Sequence, residues 1–197
     1  MPVKAVLFDF DGTLTEPGAL DFPAIKKEMG CPQDETILEY LEEQPAARRA
    51  ELTKILIQKE EEAAEASRPN EGAEKCLMAL KERNFLLGIL TRNSLASVKK
   101  SFEKFSTVSM SDFGVIITRD TSQPKPHPDG VHQAAKAMGL EPSQLIVVGD
   151  YRFDIIAGRE AGATTVLLAV KGRPVMEPGD PDPEYTIENL EEILDIL

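Results

Sequence analysis

Polar residues follow four apolar runs of this sequence. The first group is Asp9, Asp11 and Gly12, in "VLFDFDGTLT". The later groups are Thr91 and Asn93 in "LLGILTRNS", Lys125 in "TSQPKPHPDG", and Asp150 and Asp154 in "LIVVGDYRFD". Carboxylates bind hard cations such as Mg²⁺, and a lysine, a hydroxyl and backbone N–H groups stabilise a phosphoryl group during its transfer. These residue types predict a metal-assisted phosphoryl-transfer site.

Asp9 and Asp11 stand two residues apart at the end of the first apolar run. Close carboxylates repel each other and resist removal from water, so a fold tolerates them where a cation or an exchanged proton compensates. We expect Mg²⁺ to be that cation, held by Asp9, Asp150 and Asp154. A carboxylate is also a nucleophile, which predicts an aspartyl-phosphate on Asp9 with Asp11 as the neighbouring proton donor and acceptor.

Five short apolar runs predict the strands that position these groups. They span residues 3–8, 86–90, 115–118, 145–148 and 165–170, with helical patterns at 71–83, 94–105, 128–138 and 155–161 between them. Continuous apolar runs are typical of parallel strands buried on both faces. The alternation of strands and helices predicts an α/β fold with a doubly wound, Rossmann-like parallel sheet. Ligands bind outside the carboxyl ends of such strands, so the four polar groups should lie at one sheet edge.

Residues 16–68 interrupt this alternation with helical patterns only, at 23–29, 36–42 and 46–66. We expect a small α-helical cap (16–68) inserted into an α/β core (1–15 and 69–197). The charged face of its longest helix, "KEEE" at residues 59–62, is interpreted as solvated surface. The stretch "GRPVMEPGDPDPEY" is predicted to be a surface loop before a closing helix at 190–197.

Composition narrows the partners of the protein. The 197 residues carry a net charge of −12, which disfavours binding to nucleic acid or to an anionic membrane. The two cysteines, Cys31 and Cys76, lack metal-type spacing, and no apolar run is long enough to span a membrane. We expect a cytoplasmic protein, monomeric or a small homo-oligomer, that acts on a small phosphorylated metabolite.

The motifs "DFDGTLT", "ILTRNS", "KPHPDG" and "VGDYRFD" together resemble those of the haloacid dehalogenase superfamily, in its phosphoglycolate-phosphatase-like branch with an α-helical cap. The resemblance implies that Asp9 is the nucleophile and a Mg²⁺ ligand, and that Asp11 is the general acid/base and a ligand through its backbone carbonyl. It also implies that Thr91 and Lys125 bind the phosphoryl group, with Asn93 as an additional contact, and that Asp150 completes the metal site. Asp154 would ligate through water or orient Lys125.

Tyr151 departs from the family pattern, because relatives often carry a small hydroxyl residue there. We expect the substrate to be a small phosphomonoester that resembles phosphoglycolate or a sugar phosphate, and a nucleotide would also suit the catalytic set. The alternatives to a phosphatase are a phosphomutase resembling β-phosphoglucomutase and a non-catalytic binding module. Asp11 disfavours dehalogenase and phosphonatase branches, which lack the second aspartate. We interpret His127 as structural, and Arg92, Arg119, Arg152 and Arg159 mostly as surface charges.

Overall fold

A parallel sheet forms the centre of the molecule. The computed structural model describes residues 2–170 and 175–197, and in these its six strands lie in the order β3-β2-β1-β4-β5-β6. The strands are β1 (Ala5–Phe8), β2 (Leu86–Leu90), β3 (Val115–Ile117), β4 (Leu145–Gly149), β5 (Thr164–Leu168) and β6 (Tyr185–Ile187). Ala5 pairs with Leu86 on one side and Leu145 on the other, so β1 and its polar C-terminal end lie at the middle of the sheet.

Helices cover both faces of this sheet. The helices are α1 (Phe22–Met29), α2 (Ile37–Glu43), α3 (Ala46–Ala66), α4 (Ala73–Glu82), α5 (Leu95–Phe102), α6 (Asp129–Met138), α7 (Arg152–Ala161) and α8 (Ile193–Ile196). Side chains of α4, α5 and α8 share one buried cluster with the sheet, and those of α6 and α7 share another. The residues of β1 and β4 are buried throughout, which explains why both runs are continuously apolar.

The first three helices form an insert between β1 and α4. Ile25, Met29, Leu41, Leu52 and Leu56 are among the buried residues of a hydrophobic cluster that belongs to this insert. The two segments that connect the insert to the core lie side by side. The Glu16 N–H donates to the Arg68 carbonyl, and the Asn70 N–H donates to the Leu14 carbonyl, each at 2.9 Å. The insert therefore leaves and rejoins the core a few residues beyond Asp9 and Asp11.

The structure confirms the predicted fold class and corrects some of its bounds. The first strand begins at Ala5, and the fifth spans Thr164–Leu168 instead of 165–170. The predicted surface loop ends in β6, a short edge strand that was missed because two of its three residues are exposed and no apolar run marks it. The closing helix is a 3₁₀ turn (Leu190–Glu192) followed by the short α8. Part of the predicted loop, residues 172–174, lies outside the described residues, as does residue 171.

The described helices include none that is both long and apolar enough to cross a membrane.

Candidate active site

A cavity of about 530 Å³ lies between the carboxyl end of the sheet and the helical insert. Every residue predicted for the site lines it: Asp9, Asp11, Gly12, Thr91, Asn93, Lys125, Asp150 and Asp154. These residues follow β1, β2 and β4, or precede α6, so the parallel topology gathers four distant chain segments at one edge. Their placement agrees with the prediction, whereas their chemical roles stay predictions.

Lys125 is the buried cation of the site. Its Nζ donates to Asp9 Oδ1 at 2.6 Å, to Asp154 Oδ1 at 2.5 Å and to the Leu90 carbonyl at 2.8 Å. Burial opposes the charge of Lys125, but the two carboxylates outweigh it and hold the pKa of this lysine above its usual value. The ammonium therefore stays charged and compensates part of the negative charge at the end of β1.

Two glycines let the acidic residues approach one another. A Cβ on Gly149 would lie 2.0 Å from Asp154 Cγ, so only glycine fits where β4 ends and α7 begins. Gly12 has a φ of +84°, in the left-handed region that favours glycine, and a Cβ there would lie 2.5 Å from Asp150 Oδ2. The glycines of both motifs are thus required by close contact with aspartates.

Three carboxylates form a cluster suited to a cation. Asp9, Asp150 and Asp154 each offer an oxygen, and these oxygens lie within 4.8 Å of one another. Burial raises the pKa of Asp154, and Lys125 opposes that rise. Oxygen donors held this close fit a hard divalent cation, which would offset their mutual repulsion.

Asp11 lies beside this cluster and is hydrogen-bonded to Asn93. Its Oδ2 accepts a hydrogen bond from Asn93 Nδ2 at 2.5 Å. Burial, and next the negative charge of Asp9, raises the pKa of Asp11 to about 8. Thr91 is buried, and its hydroxyl accepts from the Asn93 N–H at 3.1 Å. Asn93 therefore connects the end of β2 to Asp11.

Two ion pairs join the insert to the core at this cavity, and neither was predicted from the sequence. Glu60, within the "KEEE" face predicted to be solvated, is only 3% exposed and binds the Arg119 guanidinium. Arg92 binds Glu39 of α2 at 3.0 and 2.7 Å. The interpretation of these arginines as surface charges is wrong, because their partners belong to the insert and helical periodicity does not reveal which face of an insert meets the core.

Aromatic residues complete the core side of the cavity. Tyr151 and Phe153 line it, with their rings edge to face at 5.0 Å between centroids. The Arg92 guanidinium lies 5.0 Å from the centre of the Phe153 ring. Outside the cavity, His127 Nδ1 accepts from the Asp129 N–H at 3.1 Å, which fits the structural role expected of it.

A parallel sheet covered by helices, with carboxylates and a lysine at its carboxyl edge, is typical of a class of α/β hydrolases. A family model for haloacid dehalogenase-like hydrolases matches residues 16–168. The chain is 31% identical over 200 residues to the uncharacterized hydrolase YOR131C of Saccharomyces cerevisiae, covering 99% of this chain and 91% of that protein. This protein belongs to the haloacid dehalogenase-like hydrolase family.

Two further relatives extend the comparison. Pyrophosphatase PpaX of Bacillus velezensis is 29% identical over 210 residues, which cover 98% of this chain and 96% of PpaX. The crystal structure of CbbY from Rhodobacter sphaeroides in complex with phosphate superposes with a TM-score of 0.72 at 20% identity, covering 97% of this chain and 96% of that one. At that identity the CbbY likeness supports the fold alone.

Proposed function

We propose that this protein is a phosphatase that hydrolyses a small phosphomonoester through an aspartyl-phosphate on Asp9. The observation that carries the proposal is the Lys125 ammonium held between Asp9 and Asp154, at the sheet edge that also holds Asp11 and Thr91. A buried lysine beside a carboxylate places positive charge where the negative charge of a transferring phosphoryl group needs it. Membership of a hydrolase family and a relative named pyrophosphatase support this reading.

In the first step, a carboxylate oxygen of Asp9 attacks phosphorus, and the bond from phosphorus to the ester oxygen breaks. Lys125 binds the other oxygen of Asp9 and holds the carboxylate in place. The departing alkoxide takes a proton from the Asp11 carboxyl group, which Asn93 orients. The products of this step are the free alcohol, an aspartyl-phosphate and the Asp11 carboxylate.

In the second step, water attacks the phosphorus of the aspartyl-phosphate. Asp11 accepts the proton of this water, and the bond from phosphorus to the Asp9 oxygen breaks, which releases inorganic phosphate. During both steps the Thr91 hydroxyl, the Asn93 amide and backbone N–H groups beside Gly12 bind phosphoryl oxygens. The site is then restored with Asp11 protonated and Asp9 ionised.

Mg²⁺ is the cofactor we propose, with Asp9, Asp150 and Asp154 as its side-chain ligands and the Asp11 carbonyl as a backbone ligand. The three clustered carboxylate oxygens fit such an ion. A bound Mg²⁺ supplies Lewis-acid charge that draws electron density from the phosphoryl group.

We also propose that residues 16–68 act as a cap domain over a core of 1–15 and 69–197. The insert has its own buried cluster, and its α1, α2 and α3 contribute residues to the wall of the cavity. The residues that the insert contributes to the cavity wall determine which leaving group fits. The phosphoryl site, by contrast, can serve many substrates. A cytoplasmic location stays a prediction of the sequence.

The test compares p-nitrophenyl phosphate hydrolysis by the wild type, Asp9→Asn and Asp182→Asn, each with Mg²⁺ and after EDTA. Asp182 is exposed and is not among the residues that line the cavity, so it is the matched control. We expect Asp9→Asn to lose activity by at least about 10³-fold and Asp182→Asn to retain it. EDTA should abolish turnover and Mg²⁺ should restore it.

Comparable turnover by a folded Asp9→Asn protein would refute the covalent mechanism, and undiminished turnover in EDTA would refute the metal. A phosphomutase would instead need a sugar bisphosphate activator and release no net phosphate. Absence of any phosphoryl transfer by the metal-loaded wild type would favour the binding module.

A further inference from the structure

Some cationic side chains line the cavity outside the phosphoryl site, and they influence which substrates the site can bind. Beyond Lys125, the cavity is lined by Arg92, Arg119 and Lys26. An enzyme that selects substrates with a second anionic group, such as a carboxylate or another phosphate, needs a cation that can form an ion pair with that group. The partners of these three side chains therefore decide whether the site is built for such a group.

Both terminal nitrogens of the Arg92 guanidinium are engaged. Nη1 and Nη2 donate to the two carboxylate oxygens of Glu39 at 3.0 and 2.7 Å, and Nη1 also donates to the Lys125 carbonyl. The Phe153 ring stacks under the guanidinium. This bidentate ion pair has the geometry with which Arg92 would bind an anionic ligand. Glu39 therefore occupies the position that such a ligand would take.

Arg119 is engaged in the same way. Its Nη1 and Nη2 both donate to the Glu60 carboxylate, and Nη1 also lies 3.4 Å from the Arg92 carbonyl. Glu60 is 3% exposed, and the Arg119 side chain is 14% exposed. A ligand that bound the Arg119 guanidinium in place of Glu60 would leave Glu60 buried without its ion-pair partner, which is strongly unfavourable.

The remaining wall of the cavity is largely apolar. Leu20, Phe22, Leu38 and Leu56 of the insert face it, as does Phe153 of the core. Lys26 is the third cation, and its Nζ donates to the Gln33 carbonyl at 2.8 Å within the insert. An apolar wall gains from contact with an apolar leaving group, and among the described residues that line it only Lys26 offers a cation to a second anion.

We infer that Glu39 and Glu60 determine specificity by neutralising Arg92 and Arg119, so that the site selects phosphomonoesters with an uncharged, apolar leaving group over substrates with a second anion. The inference rests on the proposed phosphatase function. It distinguishes this chain from an enzyme for phosphoglycolate, pyrophosphate or a sugar bisphosphate.

The test compares kcat/KM for benzyl phosphate, phosphoglycolate and inorganic pyrophosphate in the Mg²⁺-loaded enzyme. Benzyl alcohol and glycolate leave as primary alkoxides, so their ratio reports chiefly on what surrounds the leaving group. We expect the wild type to favour benzyl phosphate over phosphoglycolate by at least about tenfold. Glu39→Gln, which frees Arg92, should shift this ratio toward phosphoglycolate by about tenfold.

Glu43→Gln is the matched control, because Glu43 is an exposed residue at the end of the same helix and should leave the ratio unchanged. Leu38→Ser tests the apolar wall separately and should lower kcat/KM for benzyl phosphate more than for phosphoglycolate.

A wild type that hydrolyses phosphoglycolate or pyrophosphate as well as benzyl phosphate would overturn the inference, as would a folded Glu39→Gln protein with an unchanged ratio. These results would leave the phosphatase proposal intact. If no ester is hydrolysed, p-nitrophenyl phosphate included, the proposed function itself fails and the inference fails with it.

Discussion

At the scale of single residues, the site depends on how buried charges are balanced. Three carboxylates have oxygens within 4.8 Å of one another, those of Asp9, Asp150 and Asp154. Lys125 donates hydrogen bonds to two of them, Asp9 and Asp154. Burial, and next the charge of Asp9, raises the pKa of Asp11 to about 8. We therefore propose different roles for two aspartates separated by one residue: attack for Asp9 and proton transfer for Asp11.

Replacing Asp11 by Asn tests this division of roles. An alkoxide is a poor leaving group without a proton, whereas nitrophenolate departs readily without one. We expect Asp11→Asn to slow phosphoenzyme formation far more for an alkyl phosphate than for p-nitrophenyl phosphate, and single-turnover kinetics with both substrates would measure the difference. Equal losses for both substrates would assign Asp11 a structural role instead.

The residues of the site could be predicted from the sequence because each follows an apolar run, and parallel strands bring such positions together. Glu60 and Arg119 could not be predicted in the same way. Glu60 stands in a run of four charged residues on a long helix, where a solvated face is the ordinary outcome. Its burial depends on the contact between α3 and the segment after β3, which no local pattern encodes.

At the scale of elements, the junction of β4 and α7 positions the fourth motif. β4 ends at Gly149, and α7 begins at Arg152 with the Tyr151 N–H bound to Asp154 Oδ2 at 3.3 Å. The close contact between Gly149 and Asp154 sets how near the helix start approaches the strand end. The position of Asp154 beside Lys125 therefore depends on the absence of a side chain at Gly149.

Gly149→Ala should damage the site without replacing a charged residue. Its Cβ would lie 2.0 Å from Asp154 Cγ, so Asp154 must shift from its position beside Lys125. Displacement of a catalytic group by about 1 Å costs about 100-fold in rate, and we expect a loss of that order in kcat. Gly114→Ala is the control, because its Cβ would have ordinary contact at 3.7 Å from the Leu87 carbonyl. Equal activity in the two variants would show that the junction is more tolerant than we infer.

The strands and helices were predictable where apolar patterns are long, and less so at the edge of the sheet. α3 was predicted with its observed bounds, since its pattern runs for 21 residues. β6 was missed, because within the described part of the chain it pairs with β5 alone and it exposes Tyr185 and Thr186. Its pairing depends on the neighbouring strand more than on its own sequence.

At the scale of the whole molecule, the hydrophobic cluster of the insert is separate from the clusters against the sheet. One cysteine lies in the cluster of the insert and the other lies against the sheet. Cys31 lies in the cluster of the insert, and Cys76 in a larger cluster against the sheet. Burial raises the pKa of both thiols, that of Cys76 to about 12. Both thiols are therefore protonated and shielded at neutral pH, so reaction with a thiol reagent requires local opening.

We expect Cys31 to react with a thiol reagent faster than Cys76 in low denaturant, because fewer buried residues stabilise the insert than the core. The Cys31→Ser variant assigns the fast phase, and the reaction is followed by absorbance over time. If both thiols react at one rate, the insert and core open as a single unit, and the proposed division into cap and core has no basis in stability.

The central claim is that phosphoryl transfer passes through Asp9, and the stereochemistry at phosphorus tests it most directly. The substrate is a phosphorothioate monoester made chiral with oxygen isotopes and hydrolysed in water of a third isotope. Attack by Asp9 followed by attack by water inverts phosphorus twice, so we predict inorganic thiophosphate with net retention of configuration. Net inversion would mean that water attacks the substrate in one step, and it would contradict the aspartyl-phosphate mechanism.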